Sequence, residues 1–208
     1  QPDLPKYLEF VKAQVRELCT NYGEIHGFWW DMNVDKHVDR SINEMIRRLQ
    51  PKAVINNRGF DEGDFGTPER DWYDVVDTAP KFDQPIEACQ AVGYQSWGYR
   101  DDEDYYSDAH LIRSIQKVLA KGGNYLLNVG PDGAGVIPQP SYDMLRAVGR
   151  WLRTNGEAIY GTRPIYPYKQ GKFAFTKKGS TVFAIYLADP RESAPTTFTL
   201  PEIGRAHV

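Results

Sequence analysis

The feature that most constrains this chain is an alternation that runs for about 160 residues and then stops. Short apolar runs of strand length, Ile25 to Trp30, Ala53 to Asn56, Ile86 to Val92 and Asn124 to Val129, alternate with segments whose apolar residues recur every three or four positions. Leu4, Leu8, Val11, Val15 and Leu18 mark a helix from about Leu4 to Thr20 that Asp3 can cap. Ile42, Met45, Ile46 and Leu49 mark a second, which Asp35 or Asp39 can start. Asp104 to Ala120 and Ser141 to Asn155 read as two more, stopped by Gly122-Gly123 and Gly156. Buried strands alternating with amphipathic helices are the mark of parallel βα units.

After Pro164 the period changes from helical to alternating, over Lys172 to Thr176, Thr181 to Leu187 and Thr196 to Leu200. The switch predicts a boundary near Gly161 to Pro167, with residues 1–163 in a partial (β/α) barrel and 164–208 opening a β-domain. A complete eight-stranded barrel takes about 250 residues, so three or four βα units make half of one. The expected class is α/β: the C-terminal half of a (β/α)8-type barrel, then an incomplete antiparallel β-sandwich. Both ends read as cut from a longer protein.

Composition narrows the function. With 41% hydrophobic and 25% charged residues, the chain can bury a core, and the balance argues against disorder. The net charge of −3, with Lys and Arg scattered, gives no footprint for nucleic acid. No stretch reaches the roughly 18 apolar residues of a membrane span. Cys19 and Cys89 have neither metal-ligand nor disulfide-framework spacing and read as buried thiols. His26, His37, His110 and His207 are dispersed, so neither a metal nor any other cofactor is expected. Five Trp and thirteen Tyr exceed ordinary packing needs and suit the C–H faces of sugars, although extra core aromatics account for them equally well.

Chemistry in such a barrel belongs where strands end, at the C-terminal mouth. Asp31 follows the strand ending Phe28-Trp29-Trp30, which puts a carboxylate beside two indoles. Burial there is costly unless the group is paired or used; the plainer alternative is a turn cap in Asp-Met-Asn. Arg58, in Asn56-Asn57-Arg58, occupies the equivalent place after the next strand, where its planar fork can hold a carboxylate or a sugar hydroxyl. A surface arginine in a loop is the alternative. The polar stretch from Arg58 to Asp71 is too long for a tight turn and carries Glu69, a candidate general acid. Glu87, in Pro85-Ile86-Glu87-Ala88-Cys89, is a second, in an apolar context that would raise its pKa. Two carboxylates at one barrel mouth are what glycoside hydrolysis needs, one attacking the anomeric carbon and the other protonating the leaving oxygen. No Gly-x-Ser-x-Gly, P-loop or His-Glu-x-x-His run competes.

From about Tyr22 to Pro164 the runs YGEIHGFWWD, NNRG, FGTPER, PIEACQAVGYQSWGY, KGGNYLLNVGPDGAGVIP and WLRTNGEAIYGTRP resemble family 29 glycoside hydrolases, the retaining α-L-fucosidases. That resemblance implies hydrolysis of terminal α-L-fucosyl residues from glycoconjugates by double displacement. It implies Asp31 as nucleophile, Trp29 packed on the sugar, Arg58 near the nucleophile or fucose ring, and Trp97 covering the fucose methyl side. Glu69 is favoured as acid/base, with Glu87 kept open. The Thr-Pro-Glu form of the loop resembles the subgroup preferring branched α-1,3/1,4-linked fucose. The family's first half-barrel is missing, so the isolated chain is expected to be inactive and to need that half as its partner. By the same resemblance, a periplasmic, secreted or lysosomal location is expected over a cytoplasmic one. The alternative from a different class is a catalytically dead carbohydrate-binding barrel that keeps the aromatics.

Overall fold

The computed structural model describes residues 3–31, 35, 38–70, 81–189, 192–193, 195–200 and 203. The Asp-Met-Asn turn expected beyond Asp31, and Asp71 at the end of the long loop, lie outside them. The chain divides into two compact units, residues 1–67 and 68–208.

In the first unit, helix α1 spans Leu4–Asn21, with the Asp3 carboxylate accepting the Lys6 N–H at 3.2 Å and a proline in the first turn. Strand β1 (Gly27–Phe28) pairs in parallel with β2 (Val54–Ile55), Gly27 opposite Val54 and Phe28 opposite Ile55. Helix α2 (Ser41–Leu49) crosses between them. Val15 and Cys19 of α1 bury against Ile42, Met45 and Ile46 of α2, with Ile55 and Phe60 completing the core. Asp39 lies just ahead of α2, where its carboxylate accepts both the Ser41 N–H (3.1 Å) and the Ser41 hydroxyl (2.6 Å). The hydrogen bond from Lys12, 2.8 Å away, together with that hydroxyl, holds the Asp39 carboxyl below its ordinary range.

β1 is shorter than the run Ile25 to Trp30 suggests. Its ladder reaches only to the Phe28 carbonyl, which accepts the Asn56 N–H, and beyond it a side chain takes over. Gln50 fixes the entry, donating to the Cys19 and Gly23 carbonyls and accepting the Ile25 N–H.

In the second unit, β3 (Glu87–Ala91) and β4 (Asn124–Asn128) form a second parallel pair, in register from Glu87 opposite Asn124 to Ala91 opposite Asn128. Helix α3 (Asp108–Ala120) joins them and α4 (Gln139–Asn155) follows. Leu111 and Ile115 of α3 pack with Met144 and Val148 of α4 and with Val92. α3 starts four residues later than its apolar pattern suggests, because the Ser107 hydroxyl accepts the His110 N–H at 3.1 Å and sets the N-terminus there. Ser96 to Tyr99 lies outside any strand, with a bend at Trp97 and Gly98. The Glu103 carboxylate accepts the Gln95 and Ser96 N–H groups, and Ser96 Oγ accepts the Gly98 N–H, so side chains replace a ladder.

Three antiparallel strands close the unit: β5 (Arg163–Gln170), β6 (Phe173–Lys178) and β7 (Thr181–Tyr186), in that order. β5 begins inside the stretch that the sequence marks as a boundary, Gly161 to Pro167. Its prolines cannot donate to a ladder, and it sits at the sheet edge with its register broken between Pro164 and Lys169, where such residues are tolerated. Thr196 to Leu200 is not a strand; Phe198 lays its ring 4.8 Å from that of Phe173. Ala174 and Leu187 bury against Ala120 of α3.

Candidate functional site

At the C-terminal end of β1 the chain is held by one buried amide. Asn56 is wholly buried; its Nδ2 donates to the Trp30 carbonyl (2.8 Å) and its Oδ1 accepts the Trp30 N–H (2.7 Å). The side chain copies a peptide group and extends the strand pairing by one residue, up to the position before Asp31. The Trp30 indole is fixed in turn. Its Nε1 donates to Asn43 (3.0 Å), Asn43 donates to Asp61 (2.7 Å), and the ring meets Phe60 edge-on at 4.9 Å. A side chain at Gly59 would strike that indole, which is why the Asn-Asn-Arg run continues with glycine.

Asp31 therefore leaves a rigid strand end, with its side chain 66% exposed. Its Oδ1 lies 3.3 Å from Nη1 of Arg58, whose own side chain is only 10% exposed. The guanidinium is gripped from behind by Thr67, its Nε donating to the hydroxyl (2.8 Å) and its Nη2 to the carbonyl (2.7 Å). It also lies 4.6 Å over the Trp29 ring. One indole face is thus backed by a cation, and Trp29 remains 42% exposed. Asp31, Trp29 and Arg58, named separately from the sequence, form one contiguous cluster. It can present a fixed carboxylate beside an open aromatic surface.

The second unit holds Glu69, Glu87 and Trp97. Half-buried Glu69 pairs with Cys89 in an isolated parallel bridge. The flanking backbone brackets it: Cys89 N–H donates to the Pro68 carbonyl (2.9 Å) and Arg70 N–H to the Cys89 carbonyl (2.6 Å). Glu87 opens β3, two residues earlier, at the N-terminal end of the parallel pair. At about 3.3 Å per residue, Glu69 stands nearer the C-terminal end by roughly 7 Å. Trp97 is tied to that same end, where Asn128 Nδ2 donates to its carbonyl at 2.6 Å. Buried Arg70 lies 4.5 Å under the Trp97 ring.

Asn56, Asn43 and Arg70 did not stand out in sequence. A buried amide ending an apolar strand, as in Ala-Val-Ile-Asn, was the available signal for Asn56. Asn43 sits on the buried face of α2, where an amide among Ile42, Met45 and Ile46 needs a partner. Among the described residues, no group of three or more His, Cys, Asp or Glu could hold a metal ion. Cys19 and Cys89 are both buried, and burial raises the Cys19 thiol pKa.

The family model described as Alpha-L-fucosidase matches residues 1–157. Tissue alpha-L-fucosidase of Homo sapiens is 38% identical over 129 residues, covering 56% of this chain and 28% of that protein. Alpha-L-fucosidase isoenzyme 1 from Paenibacillus thiaminolyticus superposes with a TM-score of 0.74 at 33% identity, covering 88% of this chain and 47% of that one. A GH29 alpha-L-fucosidase from Bacteroides thetaiotaomicron gives a TM-score of 0.69 at 25% identity, over 83% of this chain and 45% of that one. That protein was trapped as a covalent intermediate with 2-fluoro-fucosyl fluoride using a glutamate-to-glutamine mutant. The chain spans about a quarter of the curated relative's length and about half that of the solved structures.

Proposed function

Because this chain belongs to the alpha-L-fucosidase family, with the barrel-plus-β-domain fold of its solved members, we propose that it carries the catalytic carboxylates of an α-L-fucoside hydrolase. The substrate is a fucosylated oligosaccharide or glycoconjugate. Asp31 attacks the anomeric carbon while Glu69 gives its proton to the departing oxygen, leaving a fucosyl–Asp31 ester. Glu69, now a carboxylate, takes a proton from water, which attacks the same carbon and releases fucose with its configuration retained.

The observation that carries this is the Asp31–Arg58 contact at a rigid strand end: an exposed carboxylate whose position is dictated by a fixed neighbour. Trp29, backed on one face by Arg58, offers its other face to the sugar, and Trp97 does the same over Arg70. Glu69 is preferred to Glu87 because Glu87 begins its strand, and barrel chemistry belongs to strand ends. The trapped covalent intermediate of the Bacteroides relative supports the covalent route.

In this scheme residues 1–163 belong to the catalytic barrel and 164–208 to the β-domain, and the enzyme acts outside the cytoplasm. The chain covers half of its solved relatives, so the 208 residues alone are inactive and assays use the full-length parent. Asp31→Gly in that parent abolishes turnover, and azide, entering where the carboxylate stood, restores it as glycosyl azide. A binding barrel shows no turnover in either variant and no azide product.

A further inference from the structure

Arg70 is a large cation buried to 6% exposure immediately after the proposed acid, and its backbone adopts a left-handed φ of 54°. For a residue other than glycine that conformation costs about 1 kcal/mol, and it persists only where the surroundings dictate it. Two sets of contacts do so. The backbone N–H donates to the Cys89 carbonyl on β3 at 2.6 Å, one residue past the point where Glu69 pairs with that strand. The left-handed turn then sends the side chain along the sheet toward its C-terminal end. There Nη1 donates to the Gly93 carbonyl at 2.9 Å and the guanidinium lies 4.5 Å from the centre of the Trp97 indole. Trp97 is meanwhile anchored from β4, through Asn128 Nδ2.

We propose that Arg70 is a positioning residue for the protonation step, fixing Glu69 through its backbone and the Trp97 indole through its guanidinium so that acid and sugar-facing ring keep one spacing. This rests on Glu69 being the acid/base. The contacts select arginine over lysine: the stack needs a flat delocalised cation while another edge of the group donates to a carbonyl, and an ammonium has no face to lay on an indole.

The test is steady-state kinetics of the full-length parent with two aryl α-L-fucosides, one with a nitro-activated and one with an unactivated phenol. Loss of a general acid is felt in proportion to the basicity of the leaving group. Arg70→Ala lowers kcat for the unactivated phenol about 30-fold and for the activated one only about threefold, a fraction of the full general-acid contribution. It also raises KM for both through Trp97 and moves the basic limb of the kcat/KM pH profile, which reports the acid. Arg70→Lys keeps the charge and follows alanine in leaving-group selectivity. Equal losses on both substrates with an unmoved pH profile, or lysine at wild-type rates, overturn the assignment. Should Arg70→Ala fail to fold, the same readings on Arg70→Lys decide it. Glu69→Ala, run beside them, separates the two claims. If it shows no leaving-group selectivity, the acid assignment fails and takes this inference with it; if it is selective and both Arg70 variants are not, the positioning role alone fails.

Discussion

Each of the two units carries an indole with an arginine laid on one face, Trp29 on Arg58 and Trp97 on Arg70, and the contacts that hold the two arginines differ. Arg58 touches Asp31 directly, at 3.3 Å, and is locked by two bonds to Thr67. Arg70 holds the segment carrying Glu69 through a backbone bond to Cys89, while its guanidinium serves Gly93 and Trp97. The difference matches the chemistry assigned to each group. A nucleophile must be aimed, which direct contact with a fixed side chain accomplishes. An acid that later becomes a base must change charge within one cycle, and what its surroundings must keep constant is its position.

The largest effect that can break this comparison comes from exchanging the two glutamates. Glu69→Ala should cost about a thousandfold on an unactivated aryl fucoside and less than about tenfold on an activated one, the signature of a lost acid. Glu87→Ala should lower both rates alike, mainly through a smaller folded fraction. The reverse pattern would assign the acid to the start of β3.

Next in size is the amide clamp behind Asp31. Asn56→Ala leaves the Trp30 N–H and carbonyl without their partner and should destabilise the protein by about 2–3 kcal/mol. Through the freed strand end it should also lower kcat at least tenfold, the order of cost expected for a small misplacement of a reacting group. Loss of stability with unchanged kcat in the folded fraction would show that Arg58 alone aims the carboxylate.

The smallest effect concerns a surface carboxylate of the second unit. Hydrogen bonds from Lys172 (2.5 Å) and the Tyr186 hydroxyl (2.6 Å) hold the exposed Glu192 carboxyl at about 2, below its ordinary 4.5. A depressed carboxyl stabilises the fold above its unfolded pKa and loses that contribution as pH falls through the folded value. The difference in unfolding midpoint between wild type and Glu192→Gln should therefore be constant above about pH 4.5 and close by about pH 2. Because the cluster is solvent-exposed, the difference should be small and shrink with added salt. A difference that grows toward acid pH would contradict the assignment.

Much of this was legible in the residues themselves. The apolar periods of Leu8, Val11 and Val15, and of Leu111 and Ile115, foretold the helices and the faces they bury. Asp31 after Trp30, and Arg58 after the next strand, were legible because parallel βα units repeat their geometry, so equivalent positions share one end. Strand lengths were not: Asn56 turns a backbone ladder into a side-chain one, and a single amide carries no periodicity. β5 escaped because its prolines punctuate like a linker and are tolerated only by an edge that the sequence does not reveal. Arg70 escaped because its role depends on a left-handed turn at a position where sequence favours glycine.

The central claim, that the carboxylate at residue 31 forms the bond to fucose, is tested most directly by mass spectrometry. The full-length parent, treated with 2-fluoro-fucosyl fluoride and then digested, should carry one fluorofucosyl group on the peptide containing Asp31, and none in Asp31→Gly. A label on another carboxylate, or an unlabelled protein that still releases fucose with retention, would contradict it.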